Sequence, residues 1–118
     1  MIVAGFGCRS GADEGALAEA LAATGGAVSA LATLTHKEPL LAPLATALGL
    51  PLVLIEPAAI AGLETLTRSP ASLSAYRTGS VAEAVALAAA GPGARLITPR
   101  ILSPCGRATC ALAQGVSA

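Results

Sequence analysis

A chain of 118 residues can bury a hydrophobic core without metal or disulfide support, and one domain spanning 1–118 is the default expectation. Hydrophobic residues make up 54% and aromatic ones only 2%, which excludes disorder and leaves Leu, Val, Ile and Ala to build the core. Seven basic residues balance seven acidic ones, so the charge argues against nucleic acid or an anionic membrane surface as partner, and only Phe6 and Tyr76 offer a phenyl ring to stack on a base.

Met1–Phe6 is a short apolar run and is predicted as the first strand. Gly7–Gly11 follows as a glycine-rich turn. Leu17 and Leu21, four apart with Ala16 and Ala20 beside them, predict a helix, which Gly25-Gly26 stops. Val28–Leu34 reads as the second strand. Pro39 suits the first turn of the next helix, whose apolar face is Leu41, Leu44, Ala45 and Leu48 and whose end is Gly49. Pro51 opens a third strand, Leu52–Ile55. Ala58–Leu66 can hold a short helix, and Arg68–Ser74 reads as loop. Ser80 and Glu83 form an S-x-x-E capping box for a helix with Val81, Ala84, Val85 and Ala88 as its buried stripe, closed by Gly91-Pro92-Gly93. Arg95–Thr98 is a fourth strand, Pro99–Arg107 a loop, and Ala108–Ala113 either a last strand or a short helix.

This alternation predicts an α/β fold in three layers, with helices on both faces of a mainly parallel sheet of four to five strands. The sheet is mixed if the final segment pairs antiparallel. Crossovers are expected to be right-handed. No basic stretch precedes an apolar run at the N-terminus, so no secretory signal is expected. Aliphatic runs are broken by Pro or Gly well short of a membrane span. The expected compartment is the cytoplasm, where Cys8, Cys105 and Cys110 read as reduced thiols.

Three loops carry candidate chemistry. Gly5-Phe6-Gly7-Cys8-Arg9-Ser10-Gly11 lies between a strand and a helix. Glycines there permit close ligand approach, a helix start favours an anion, and Arg9 can hold a carboxylate or phosphate. The spacing G-x-G-x-x-x-G is one residue too long for a dinucleotide fingerprint. Ala32-Thr33-Leu34-Thr35 also supplies no acid for a ribose. A plain βα turn with Ser10 as N-cap is the alternative. Tyr76-Arg77-Thr78-Gly79-Ser80 again combines Arg, hydroxyls and Gly at a helix start; the alternative is that Ser80 and Glu83 merely cap. Thr35-His36-Lys37-Glu38-Pro39 follows the second strand. There His36 can act as acid or base near neutral pH, Lys37 can clamp an anion, and Glu38 can pair or cap; a solvated surface histidine is the alternative.

The cysteines do not make a metal site. Cys105 and Cys110 have no second pair to complete tetrahedral zinc, and no metal or cofactor is expected. Cys8 is expected beside a helix N-terminus, where a thiol pKa falls. No Ser/His/Asp arrangement and no carboxylate pair is legible, which leaves catalysis open, with Glu38, His36 and Glu83 as candidate acids or bases.

Taken in order, the three loops resemble the C-terminal domain family of the CbiG proteins of cobalamin biosynthesis. Gly5-Phe6-Gly7-Cys8-Arg9-Ser10-Gly11 resembles its G-x-G-C-R-x-G opening. Leu31-Ala32-Thr33-Leu34 with Lys37-Glu38-Pro39-Leu40 resembles its second strand and the loop after it. Thr78-Gly79-Ser80-Val81-Ala82-Glu83-Ala84 resembles its T-G-S/V-V-A-E-A helix start. The order and spacing match across nearly the whole chain. His36 stands where the family has no fixed residue, and Arg100 follows Pro99 where the family often has Lys. The length, without the N-terminal domains of CbiG, points to the short, stand-alone CobE members.

The resemblance implies work on the corrin ring. CbiG hydrolyses a ring-A lactone in cobalt-precorrin-5A and releases a two-carbon fragment. For this chain the favoured expectation is binding or carrying a corrinoid or precorrin intermediate through its carboxylates. Gly7, Cys8, Arg9, Ser10, Lys37, Thr78, Gly79 and Ser80 are the candidate ligand-binding residues, with Arg77 nearby. The alternatives are a CbiG-like enzyme acting on the ring, or a docking partner of another pathway enzyme. Geometrically, Arg9, Lys37 and Ser80 are expected to converge on one edge of the sheet.

Overall fold

The structure, a computed structural model, describes every residue except 9–11, 64, 66–72, 74–77, 105 and 116–118. The first apolar run becomes β1, Ile2–Cys8, reaching two residues further than expected. β2, Ala30–Leu34, is buried throughout, and β3 is Leu52–Ile55. The three pair in parallel, with Val3 opposite Ala30 and Leu31 opposite Leu52.

Between them run α1, Glu14–Ala23, and α2, Glu38–Leu48. The N-cap of α1 is Asp13, whose carboxylate accepts the Ala16 N–H at 2.8 Å. This corrects the reading of Ser10 as cap: the helix starts only at Glu14, and the Asp13 carboxylate before it satisfies a free donor of its first turn. Pro39 sits in the first turn of α2, and Gly49 ends it at φ 67°, a left-handed conformation that favours glycine.

The second half begins with a short α3, Pro57–Ile60. Next comes α4, Val81–Ala90, capped by the Ser80 hydroxyl, which accepts the Glu83 N–H at 3.3 Å. β4 spans Arg95–Leu102 and so runs through Pro99. The expectation of a loop from Pro99 onward is thereby corrected. Pairing shifts between Leu96 and Thr98 and again between Thr98 and Ile101 mark two bulges. On an edge strand, a bulge is where proline's missing N–H is tolerated. β5, Ala108–Gln114, is a strand and pairs antiparallel with both β1 and β4.

The sheet is therefore five-stranded and mixed, in the order β3-β2-β1-β5-β4, with only β5 reversed. Helices cover both faces, giving the expected three layers. Right-handedness decides which helix lies where. Moving from β1 to β2 to β3 steps the chain one way across the sheet and puts α1 and α2 on one face. Moving from β3 to β4 steps it back and puts α4 on the other. Phe6, Leu17, Leu31, Leu41, Leu44 and Leu112 fill the first face. Val3, Ala30, Ala32, Leu34, Ala84 and Val85 fill the second. Among the described residues, no helix is long and apolar enough to cross a membrane.

Candidate functional site

The carboxyl end of β1 is the switch point of this topology. The chain leaves β1 toward α1 on one face, while α4 starts at the same edge on the other. In open α/β sheets such a crevice, outside the strand ends, is where ligands bind. Cys8 at the end of β1, the turn after Leu34 and residues 78–80 ahead of α4 border this edge.

Two threonines hold the end of β1. The Thr33 hydroxyl on β2 donates to the Phe6 carbonyl at 3.2 Å, and the Thr109 hydroxyl on β5 donates to the Gly7 carbonyl at 3.2 Å. Gly7 is needed here for space. A Cβ on it would lie 2.8 Å from the Thr109 Oγ and 3.5 Å from the Ala82 nitrogen in the first turn of α4. The missing side chain lets the start of α4 close over the strand end.

Cys8, the next residue, is half-buried on the opposite face and packs at the rim of the α1/α2 core. Burial pushes its thiol pKa up, and the ammonium of Lys37 partly opposes that shift. The expected fall at a helix N-terminus is not found: α1 begins only at Glu14, after the loop, and desolvation outweighs the nearby charge. The coupling nonetheless ties Lys37 to the end of β1. Lys37 closes a 3-10 turn, Thr35–Lys37, that carries the chain from β2 into α2. Lys37 is half-buried, with His36 and Glu38 exposed on either side.

Thr78, Gly79 and Ser80 are all buried. The Thr78 hydroxyl donates to the Leu63 carbonyl at 2.9 Å, and Ser80 caps α4. Both oxygens therefore have partners within the fold. Glu83 is fully buried, and its Oε2 accepts the Arg100 N–H from the bulge of β4 at 2.8 Å. The carboxylate braces an edge strand. Lys37 and Ser80 thus share one edge, approached from the two faces of the sheet, with the end of β1 between them. Arg9, Ser10, Arg77 and Cys105 lie outside the described residues.

Cys110, on β5 in the α1/α2 core, has its thiol pushed up to about 12 by burial, which leaves it protonated and unreactive at neutral pH. Among the described residues, no cluster of three His, Cys, Asp or Glu could hold a metal ion.

Sequence reasoning missed the two threonine clamps, the Asp13 cap and the Glu83 brace. It also missed the turn between β4 and β5, which lies at the same edge. That turn is built on Ser103, whose N–H donates to the Ala108 carbonyl at 2.8 Å and whose carbonyl accepts the Gly106 N–H at 2.9 Å. The available signal was Ser-Pro-Cys-Gly between two β-prone runs, a hairpin turn.

Residues 2–113 match the family model described as "Cobalamin synthesis G C-terminus". Among solved structures, the chain is 33% identical to CobE, a protein from the cobalamin (vitamin B12) biosynthetic pathway, with a TM-score of 0.81 over 100% of this chain and 92% of that one. It is 36% identical to the cobalamin biosynthesis protein chiG from Agrobacterium tumefaciens str. C58, with a TM-score of 0.72 over 99% of this chain and 100% of that one. A cobalamin biosynthesis protein G homolog from Sulfolobus solfataricus shares the fold at 19% identity, with a TM-score of 0.72 over 95% of this chain and 36% of that one. No curated protein sequence matches the chain.

Proposed function

The chain belongs to the cobalamin synthesis G C-terminus family and is a cobalamin biosynthesis protein, and from that premise we propose that it binds a corrinoid or precorrin intermediate through the carboxylates of that intermediate. The observation that carries this reading is the end of β1, where the connections of the sheet switch faces. Helices flank it from both faces, Gly7 keeps it narrow on the α4 side, and Lys37 charges its other side.

Corrin intermediates carry several carboxylates around a broad apolar ring. Lys37 supplies one fixed cation for a carboxylate, and the backbone at the start of α4 supplies N–H donors and the positive end of the helix dipole. In this reading the domain binds or carries the ligand in the cytoplasm. The described residues of this edge do not favour hydrolysis of a lactone. Glu83 is buried under β4 and holds a backbone N–H, and His36 and Glu38 stand exposed beside Lys37 with no carboxylate pair between them.

The test is a titration with hydrogenobyrinic acid, followed by the visible spectrum and by co-elution in gel filtration. Wild type is expected to co-elute with the ligand at micromolar protein. Lys37→Ala and Arg9→Ala are each expected to bind about tenfold more weakly, the value of one charge-assisted contact. Absence of binding by the wild type would overturn the reading.

A further inference from the structure

We propose that Arg107, in the turn between β4 and β5, is a second carboxylate-binding residue of the β1 crevice, so that the site grips its ligand at two points on opposite sides of the strand end. The proposal rests on the corrinoid-binding reading above and adds a residue that none of the three sequence motifs contains.

Three observations carry it. The first is position. Ala108, the residue after Arg107, is the pairing partner of Cys8 at the end of β1. Lys37 follows β2, the neighbour of β1 on the other side. In the order β2-β1-β5 the two residues are therefore anchored on the strands to either side of β1, whose backbones lie two strand spacings apart, about 10 Å. Anchors on opposite sides of the strand end suit a ligand with carboxylates on different parts of a macrocycle.

The second observation is charge. From residue 95 onward the sequence contains Arg95, Arg100 and Arg107 and no Asp or Glu. Of the acids on the elements packed against this hairpin, Glu83 of α4 is fully buried and accepts the Arg100 N–H at 2.8 Å, while Asp13, Glu14 and Glu19 belong to α1, which packs against β5, and the Asp13 carboxylate is engaged with the Ala16 N–H. Arg107 is exposed at the edge, so its guanidinium faces solvent on a hairpin that carries only positive charge.

The third is that the turn is built. Besides the two backbone bonds already described, the Ser103 hydroxyl accepts the Ala108 N–H at 3.2 Å, and Ser103 is 3% exposed. Gly106 takes the left-handed conformation, φ 75°, that the turn needs. The backbone under Arg107 is thus set, and a binding arginine loses less freedom when its anchor is fixed. Leu102, opposite Thr109 at the end of β4, is 55% exposed and adds an apolar surface beside the crevice.

The experiment compares wild type, Arg107→Ala and Arg95→Ala in titrations with hydrogenobyrinic acid and with dicyanocobinamide, whose peripheral carboxylates are amidated. Arg95 lies at the far end of β4, opposite Gln114, and serves as a control for charge and folding on the same hairpin. Arg107→Ala is expected to weaken hydrogenobyrinic acid about tenfold, to leave dicyanocobinamide unchanged, and to leave the thermal midpoint unchanged; Arg95→Ala is expected to change neither ligand. If Arg107→Ala binds hydrogenobyrinic acid like wild type while Lys37→Ala is weakened, the second grip is overturned and the binding reading stands. If Arg107→Ala loses both ligands equally, the carboxylate contact is overturned. If wild type binds neither ligand, both readings fall together.

Discussion

The two faces of the sheet are packed on different principles. On the α1/α2 face the helices stand off on large side chains: Phe6, Leu17, Leu31, Leu41 and Leu112 are all buried. On the α4 face β1 presents glycine at Gly5 and Gly7, and the helix lies directly on it. A Cβ on Gly5 would lie 2.6 Å from the Ala86 nitrogen and collide with the Ala82 carbonyl, and Ala30, Ala32 and Ala84 share the rest of the face with Val3, Leu34, Ile60 and Val85. The contrast has a purpose at the edge. A helix that lies low over β1 brings its first turn directly onto the strand end, whereas helices held off by leucines leave room there for Lys37 and the thiol of Cys8.

Each face should therefore fail in its own way. Truncation should hurt the first face most. Phe6→Ala is expected to cost about 4 kcal/mol, because the surrounding leucines cannot close the hole; chemical denaturation reads this as a fall in midpoint at unchanged slope. A cost below about 1 kcal/mol would mean that the face does not depend on its large residues.

Addition should hurt the second face. Gly5→Ala is expected to cost about 3 kcal/mol, since the new methyl meets helix backbone that cannot rotate away, and to lower the thermal midpoint by about 10 °C. A neutral outcome would show that α4 can lift, and the low-lying helix would cease to explain the crevice.

A smaller effect separates the faces by pH. Cys110 lies in the dry core of the first face with its thiol pKa pushed up to about 12. An unfolded cysteine titrates near 8.5, so the folded state holds the proton longer. Stability is therefore complete below about pH 8.5 and is lost as pH rises from there toward the folded value. By pH 10 the loss from this group is about 2 kcal/mol. Denaturation midpoints of wild type and Cys110→Ala, compared between pH 7.5 and 10, should converge as pH rises; parallel curves would mean that the thiol is not shielded as the structure has it.

Much of this fold was readable before any coordinates. Glycines and prolines punctuate the apolar runs sharply enough that β3 falls where expected, Gly49 ends α2, and Ser80 caps α4. What the sequence concealed was tertiary. Pro99 reads as a loop residue because proline interrupts strand ladders, and only its place on a bulged edge makes it compatible with β4. Nothing local reveals that Gly5 lies under a helix rather than in a turn. Glu83 looks like half of a capping box, yet one of its oxygens reaches the backbone of a strand 17 residues away. The site was legible as three loops and not as a place. Lys37 was named from its motif, and its coupling to Cys8 appears only once β2 lies beside β1.

The pairing of β1 with β5 also governs how the protein comes into being. Residue 2 aligns with residue 114, and seven consecutive partners join the two strands. While the chain is being synthesised, β1, β2 and β3 can assemble early, but one edge of β1 stays open until residues 108–114 have emerged. The strand that lies at the middle of the finished sheet is thus among the last to gain its second neighbour. Pairings so distant in sequence close slowly, and an open apolar edge is prone to mispair while it waits. Nascent chains cut short before residue 108 should consequently be the aggregation-prone species, and the hairpin that carries Arg107 is also the one that seals the sheet.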